Sequence, residues 1–325
     1  MVRIGIVGTG NMGAVHCSNY ALMDDCQVVA VVGKSSRGKE RAKEWGLPVY
    51  DSISEMVQQE TIDLVDICTP TFLHKQQVME ALELKKHVIS EKPLALSKKD
   101  AEEMYRTASE KGVQLYVAQV LQFTKETEIL RNLVQSGVYG LALDAQFERL
   151  SACPRWSQGG WLFDREKSGL LPFDLHIHDL DLMVSLFGKP EAFSYTSCAG
   201  RGRDYPEHCR FLYSYKDRNV CAEAAWLHAD IPFIARWRVY FENAMVIYDG
   251  TRVTAYLLAH EPLVLVAEDK VQTDRKKALS DGWYYRELSH FIECVKNGVP
   301  SPYVRREQVL TVLDILENIA RDIPS

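Results

Sequence analysis

The chain has 325 residues, 46% of them hydrophobic and 25% charged; this is the mix of a folded globular protein and more than one core usually supports, so two domains are expected. A formal net charge of -6 offers no cationic footprint for nucleic acid or an anionic membrane surface, which excludes both as expected partners. No apolar run approaches the ~20 residues of a membrane span, no secretory signal precedes the first strand, and the eight cysteines include no C-x-x-C pair, so a cytoplasmic chain with free thiols is expected.

Residues 3 to 7 (RIGIV) read as a strand that runs into Gly8-Thr9-Gly10-Asn11-Met12-Gly13 and then a helical stretch, 14 to 23. Strand, G-x-G-x-x-G and helix in this order predict a dinucleotide cradle: Gly8 for the tight turn, Gly10 for close approach of a pyrophosphate, Gly13 for helix-strand packing, with the helix N-terminus toward the anion. QVVAVVG (27 to 33) predicts the second strand and GKERAKEWG a helix ending at Gly46. DLVDICTP (63 to 70), HVISEKP (87 to 93) and QLYVAQ (114 to 119) predict further strands, and Ser97 with Asp100 opens the helix before the last of them. Continuous apolar strands alternating with helices give a parallel sheet covered on both faces, a Rossmann domain over residues 1 to 122.

Where an NAD-binding chain places an Asp or Glu after the second strand, this one has Gly33, followed by Lys34, Ser35, Ser36 and Arg37. Cations and hydroxyls without a carboxylate suit a ribose 2′-phosphate, so NADP is favoured over NAD. Asp24 and Asp25 precede the strand and lie at its wrong end.

Beyond Gln119 the strands alternate. LALDAQFERL places Leu143, Ala145 and Phe147 on one face and Asp144, Gln146 and Glu148 on a solvated one, and hairpins are predicted at 217 to 219 and at Asp249-Gly250. Residues 123 to 325 therefore form a second, antiparallel-rich α/β domain for substrate and for oligomer contacts, whose last helix is a candidate to pack back on the first domain. The irregular stretch 152 to 172 holds Arg155, Trp156 and Trp161, which serve either sugar stacking and hydroxyl binding or the capping of a core. In FDLHIHDLD (173 to 181) a helix puts Asp174, His178 and Asp181 on one face, with His176 elsewhere and Asp179 expected in solvent. A metal site is not expected there, since no third or fourth ligand cluster of Cys or His is visible.

GTGNMG, CTPTFLH (68 to 74), SEKPLA (90 to 95) and DLHIH (174 to 178), in this order, make the chain resemble the glucose-fructose oxidoreductase / inositol dehydrogenase / MocA family over nearly its whole length. The resemblance implies a doubly wound parallel Rossmann sheet plus a C-terminal α/β domain with a large open, mostly antiparallel mixed sheet, used for a homodimer or homotetramer. It implies Lys92 beside nicotinamide and substrate, Glu91 and Pro93 shaping that turn, and Asp174 and His178 as the D-x-x-x-H pair. Thr69, Pro70 and His74 match a cofactor loop in which Thr71 replaces the usual Asn. His176 stands where relatives carry a glycine, and so either touches substrate or fills space; Gln119 joins the substrate candidates. The implied activity is hydride transfer between NAD(P) and a secondary hydroxyl or keto carbon of a sugar or polyol, with Lys92, Asp174 and His178 catalytic. Two alternatives remain: an NAD(P)-dependent glycosidase on the same scaffold, and a non-catalytic dinucleotide-sensing regulator.

Overall fold

The computed structural model describes residues 1–33, 35–267 and 282–322; Lys34 lies outside the described residues. By compactness the chain divides into two units, one of Met1–Phe123 with, among the described residues, 282–310, the other of 124–267 and 311–322. Among the described residues, no helix is long and apolar enough to cross a membrane.

In the first unit β1 (Val2–Val7), β2 (Cys26–Val32), β3 (Val49–Tyr50), β4 (Leu64–Ile67), β5 (His87–Glu91) and β6 (Leu115–Ala118) form one parallel sheet in the order β3-β2-β1-β4-β5-β6. The order reverses between β1 and β4, which puts the carboxyl ends of those strands at the site where such sheets bind ligands. Ile4, Ile6, Leu64, Val65, Ile67, Val88 and Ile89 have no exposed surface; burial on both faces is why these strands read as unbroken apolar runs. The crossover helices are α1 (Asn11–Tyr20), α2 (Ser36–Glu44), α3 (Ile53–Gln59), α4 (His74–Glu83) and α5 (Lys98–Lys111). Each of Ser35, Ser52 and Ser97 accepts a backbone N–H from the third residue on, closing the starts of α2, α3 and α5. A later helix, Trp283–Asn297, belongs to this unit: Phe291 stacks on Tyr116 at 5.2 Å between ring centres, and Tyr116 Oη donates to the Val299 carbonyl at 2.8 Å.

The second unit is built on a sheet of eight described strands, β7 (Ala142–Ala152), β8 (Ala192–Cys198), β9 (His208–Ser214), β10 (Asn219–Leu227), β11 (Ile234–Phe241), β12 (Ala244–Tyr248), β13 (Arg252–Leu257) and β14 (Leu263–Ala267). Their order is β14-β13-β12-β11-β7-β10-β9-β8. β7 and β10 run parallel at its centre and the other described pairs are antiparallel. Both predicted hairpins form, β9 with β10 and β12 with β13. One detail of β7 differs: Glu148, expected in solvent, is 9% exposed and pairs with Arg236 at 2.8 Å on the neighbouring β11, because a central strand has neighbours on both sides. Phe147, Phe211, Tyr213 and Trp226 fill the covered face, each worth about 1.5–3 kcal/mol of apolar burial or more. α8 (Ile177–Phe187) packs on β7, with α6 (Lys125–Ser136) beside α8; α7 (Arg165–Ser168) is a short helix inside the stretch expected to be irregular.

Candidate functional site

The glycine loop follows β1 directly. Gly8 has φ +99°, and a Cβ there would stand 2.8 Å from the Cys68 carbonyl oxygen; one on Gly13 would overlap the Gly8 carbonyl. A Cβ on Gly10 would meet nothing within 4 Å. Gly8 and Gly13 are thus required by packing, whereas Gly10 borders open space at the start of α1, where no side chain caps the helix. Uncapped first-turn amides beside an open backbone suit a pyrophosphate. Arg41 on α2 steadies the loop, its Nη1 donating to the carbonyls of Thr9 at 2.7 Å and Gly10 at 3.0 Å. No sequence pattern singles Arg41 out, because its partners are main-chain atoms some thirty positions away.

At the end of β2, Gly33 is buried and its N–H donates to the Tyr50 carbonyl at 3.2 Å. Ser35, Ser36 and Arg37 are exposed. Asp51, on the next strand end, pairs with Lys39 at 3.0 Å.

At the ends of β4 and β5, Thr69 Oγ1 donates to Gln77 Oε1 at 2.5 Å. His74 is 1% exposed, with Nδ1 2.8 Å from the Pro93 carbonyl and Nε2 2.8 Å from the Thr69 carbonyl. Burial lowers its pKa against the pull of the two carbonyls, and the ring braces the Thr69 loop against the Lys92 turn. Lys92 is half-buried between buried Glu91 and buried Pro93, and the Lys92–Pro93 bond is cis. Gln119 is 3% exposed.

Beneath this turn lies a cluster that sequence reading missed. His16 of α1, without exposed surface, has Nδ1 2.8 Å from Asp66 Oδ2 and Nε2 3.2 Å from Glu91 Oε1. Tyr20 Oη donates to the same Asp66 oxygen at 2.8 Å, and Cys68 Sγ lies 3.3 Å from His16 Nδ1. Burial opposes charge on His16, yet the adjoining Asp66 carboxylate, with Cys68, carries its pKa well above the ordinary value. Burial, reinforced by Asp66, pushes the Cys68 thiol up, so it stays protonated. The one advance signal is position: His16 follows Gly13 by one helical turn.

In the second unit the chain makes a π-type turn at Pro172–His176 and continues as α8; wide turns of this kind recur at functional sites. From 168 to 184 every residue is buried except Asp174 and His178, which are half-exposed. The neighbours expected to be equivalent are not. His176 has no exposed surface: its ring stacks on Phe211 at 3.8 Å and its Nε2 lies 2.6 Å from Tyr213 Oη, and burial, with Arg149, pushes its pKa down to about 3. Asp179, expected in solvent, is 2% exposed and receives two hydrogen bonds from Arg149, 3.0 Å from Nε and 2.8 Å from Nη2. α8 is covered on more than one side, so a second face takes a charge pair instead of water. Asp181 is also buried. Trp156 is 61% exposed, Trp161 half-buried, and exposed Arg155 stands 3.8 Å from Asp230.

Residues 2–119 match the family model of an oxidoreductase family with an NAD-binding Rossmann fold, and residues 127–247 match a GFO/IDH/MocA C-terminal domain. The chain belongs to the glucose-fructose oxidoreductase / inositol dehydrogenase / MocA family. It is 31% identical over 189 residues to 2,7-anhydro-N-acetylneuraminate hydratase of Escherichia coli (strain K12), covering 58% of this chain and 50% of that protein. With D-glucoside 3-dehydrogenase of the same organism it shares 32% over 195 residues, 58% of this chain and 55% of that one. The chain spans about half the length of the curated relatives it matches. A levoglucosan dehydrogenase structure superposes with a TM-score of 0.84 over 98% of this chain and 97% of that one at 17% identity, a likeness of fold.

Proposed function

We propose that the chain is an NAD(P)-dependent oxidoreductase that moves a hydride between a nicotinamide and a secondary hydroxyl or keto carbon of a sugar, sugar derivative or cyclitol. The observation that carries this reading is the selective exposure of Asp174 and His178 in an otherwise buried stretch. Buried polar groups are costly and exposed ones ordinary, but two titratable side chains left half-open in a buried helix face, one turn apart, are placed to meet a ligand.

The nicotinamide, when bound, supplies the hydride chemistry. Gly10 and the first-turn amides of α1 hold the pyrophosphate, and Ser35 and Arg37 meet a ribose 2′-phosphate, the basis for preferring NADP over NAD; the Lys34 assigned to the same role lies outside the described residues. Thr69, Pro70 and His74 shape the wall of the cofactor site, His74 through the main chain. His178 takes the proton of the substrate hydroxyl, or returns it in the reductive direction, and Asp174 orients it or binds a neighbouring hydroxyl. Lys92 stabilises the developing alkoxide. Exposed Arg155 and Trp156 and half-buried Trp161 are assigned to the sugar; His176 and Gln119 support the site from buried positions. A cytoplasmic setting fits eight cysteines none of which is in a disulfide. Exposed Leu212, Tyr240 and Tyr256 on β9, β11 and β13 support oligomer contacts through the second sheet.

A second reading is an NAD(P)-dependent glycosidase, with transient oxidation of a sugar, elimination of its aglycone and re-reduction, and no net change in cofactor; the hydratases among the relatives, whose names are not those of dehydrogenases, support keeping it. Both readings predict that His178→Ala and Lys92→Ala each remove most turnover and leave dinucleotide binding nearly intact. Full activity in either variant refutes the assignment. Net nicotinamide absorbance change separates the two readings.

A further inference from the structure

The cluster beneath the Lys92 turn joins three elements of the first unit. Both nitrogens of His16 face carboxylate oxygens, Asp66 Oδ2 at 2.8 Å and Glu91 Oε1 at 3.2 Å. Nδ1 hydrogen-bonds Asp66, whereas Nε2 meets Glu91 Oε1 as a close ion-pair contact outside hydrogen-bond geometry, so a positive ring is what balances a carboxylate on each side. The other Glu91 oxygen, Oε2, accepts the main-chain N–H of Lys92 at 3.1 Å. His16 itself lies one turn into the helix that the glycine loop starts.

We propose that His16 is a cationic strut: held as an imidazolium between Asp66 and Glu91, it fixes the Glu91 carboxylate that grips the backbone of Lys92, and so positions the lysine from the dinucleotide-loop helix. The positioning role rests on the part given to Lys92 above. The groups that face the ring are Asp66 and Cys68 from β4 and its end, Tyr20 from α1, Glu91 from β5, and Tyr284 from the Trp283–Asn297 helix, its ring 6.2 Å away; Glu287 of that helix adds to the field at Tyr284, and Cys17 of α1 lies within the field of Asp66. Two carboxylates meet the ring, and without its positive charge both would be buried with no cation between them, which is far costlier than the ion-paired triad.

His16, Asp66 and Cys68 also have the donor types of a metal site, their ligand atoms lying within 4.8 Å of one another. The hydrogen-bond distance between Nδ1 and Oδ2 and the protonated thiol put a proton where a metal would sit.

Selective 15N-histidine labelling of the full chain reads the strut directly. The expected result is an imidazolium signal for His16 at a pH about 1.5 above the ordinary histidine value of ~6.5; a neutral tautomer at that pH overturns the proposal. His16→Gln keeps a donor but removes the charge, and is expected to speed amide exchange in the segment 87–95 about tenfold. It should also lower kcat with little change in dinucleotide KM, and His16→Gln/Glu91→Gln should recover part of both effects by removing the unpaired carboxylate. Unchanged exchange in His16→Gln overturns the proposal, as does one equivalent of zinc in the purified chain. If His16→Gln does not fold, the wild-type nitrogen spectrum still decides. The spectrum and the exchange rates need no substrate, so failure of the oxidoreductase reading leaves them intact and is seen separately.

Discussion

His176 gives the second unit an acid-sensitive core. Its ring is fully buried, stacked on Phe211 and bonded to Tyr213, with a pKa pushed down to about 3, against ~6.5 for a histidine in the unfolded chain. Between these values the unfolded chain binds the proton that the folded chain refuses. The stability is therefore full above ~6.5 and is lost as pH falls toward the folded value. From pH 8 to pH 5 the loss is about 1.5 pKa units at 1.36 kcal/mol each, or ~2 kcal/mol. His176→Phe keeps an aromatic ring against Phe211 but cannot titrate. It leaves Tyr213 Oη without its His176 partner, a cost that is the same at both pH values and cancels in the comparison. Amide exchange in β9, the strand of Tyr213, measures opening of this unit at each pH. The wild-type chain should lose ~2 kcal/mol more than His176→Phe on going to pH 5. Equal acid losses in the two chains would show that His176 does not hold its proton affinity down and would refute the reasoning.

Asp179→Ala leaves Arg149 buried without its carboxylate and should destabilise the chain by about 3–5 kcal/mol in denaturant unfolding, while Arg149→Met/Asp179→Ala should recover most of that loss. Gly10→Ala should leave stability unchanged and weaken dinucleotide binding, since its Cβ enters open space where the pyrophosphate belongs; Gly13→Ala should lower stability by itself, through overlap with the Gly8 carbonyl, and the two melting curves compared with titrations tell them apart. Arg37→Ala should weaken NADPH binding by about 1–3 kcal/mol and leave NADH binding unchanged; equal losses for both cofactors would remove the basis for an NADP preference.

Much of the first unit is legible in the sequence because its strands are buried on both faces and α2, α3 and α5 begin with capping serines, so local pattern and tertiary environment agree. β3 escapes because two residues, Val49 and Tyr50, carry no period. The second sheet is legible in the alternation of β7 and in its hairpins. Its central parallel pair joins β7 to β10 across some seventy residues, and no local signal encodes that pairing. Asp174 and His178 stand out by motif, but their distinction from His176 and Asp179 depends on what covers α8: an aromatic strand face against His176 and Arg149 of β7 against Asp179. The His16 cluster is invisible for the same reason, since residues 16, 66 and 91 come from three elements and meet only when the sheet has formed. Helix periodicity assigns residues to faces; it does not say which faces water reaches.

The central claim is hydride transfer, and isotope transfer tests it most directly. Incubation of the chain with C4-deuterated NADPH and a panel of keto-sugars and keto-cyclitols, read by mass spectrometry, should place one deuterium on a carbon that becomes a secondary alcohol. His178→Ala should abolish the label while still binding the cofactor. Tight dinucleotide binding with no deuterium in any product, and none exchanged into any sugar, would contradict the account and leave a dinucleotide-sensing protein in its place.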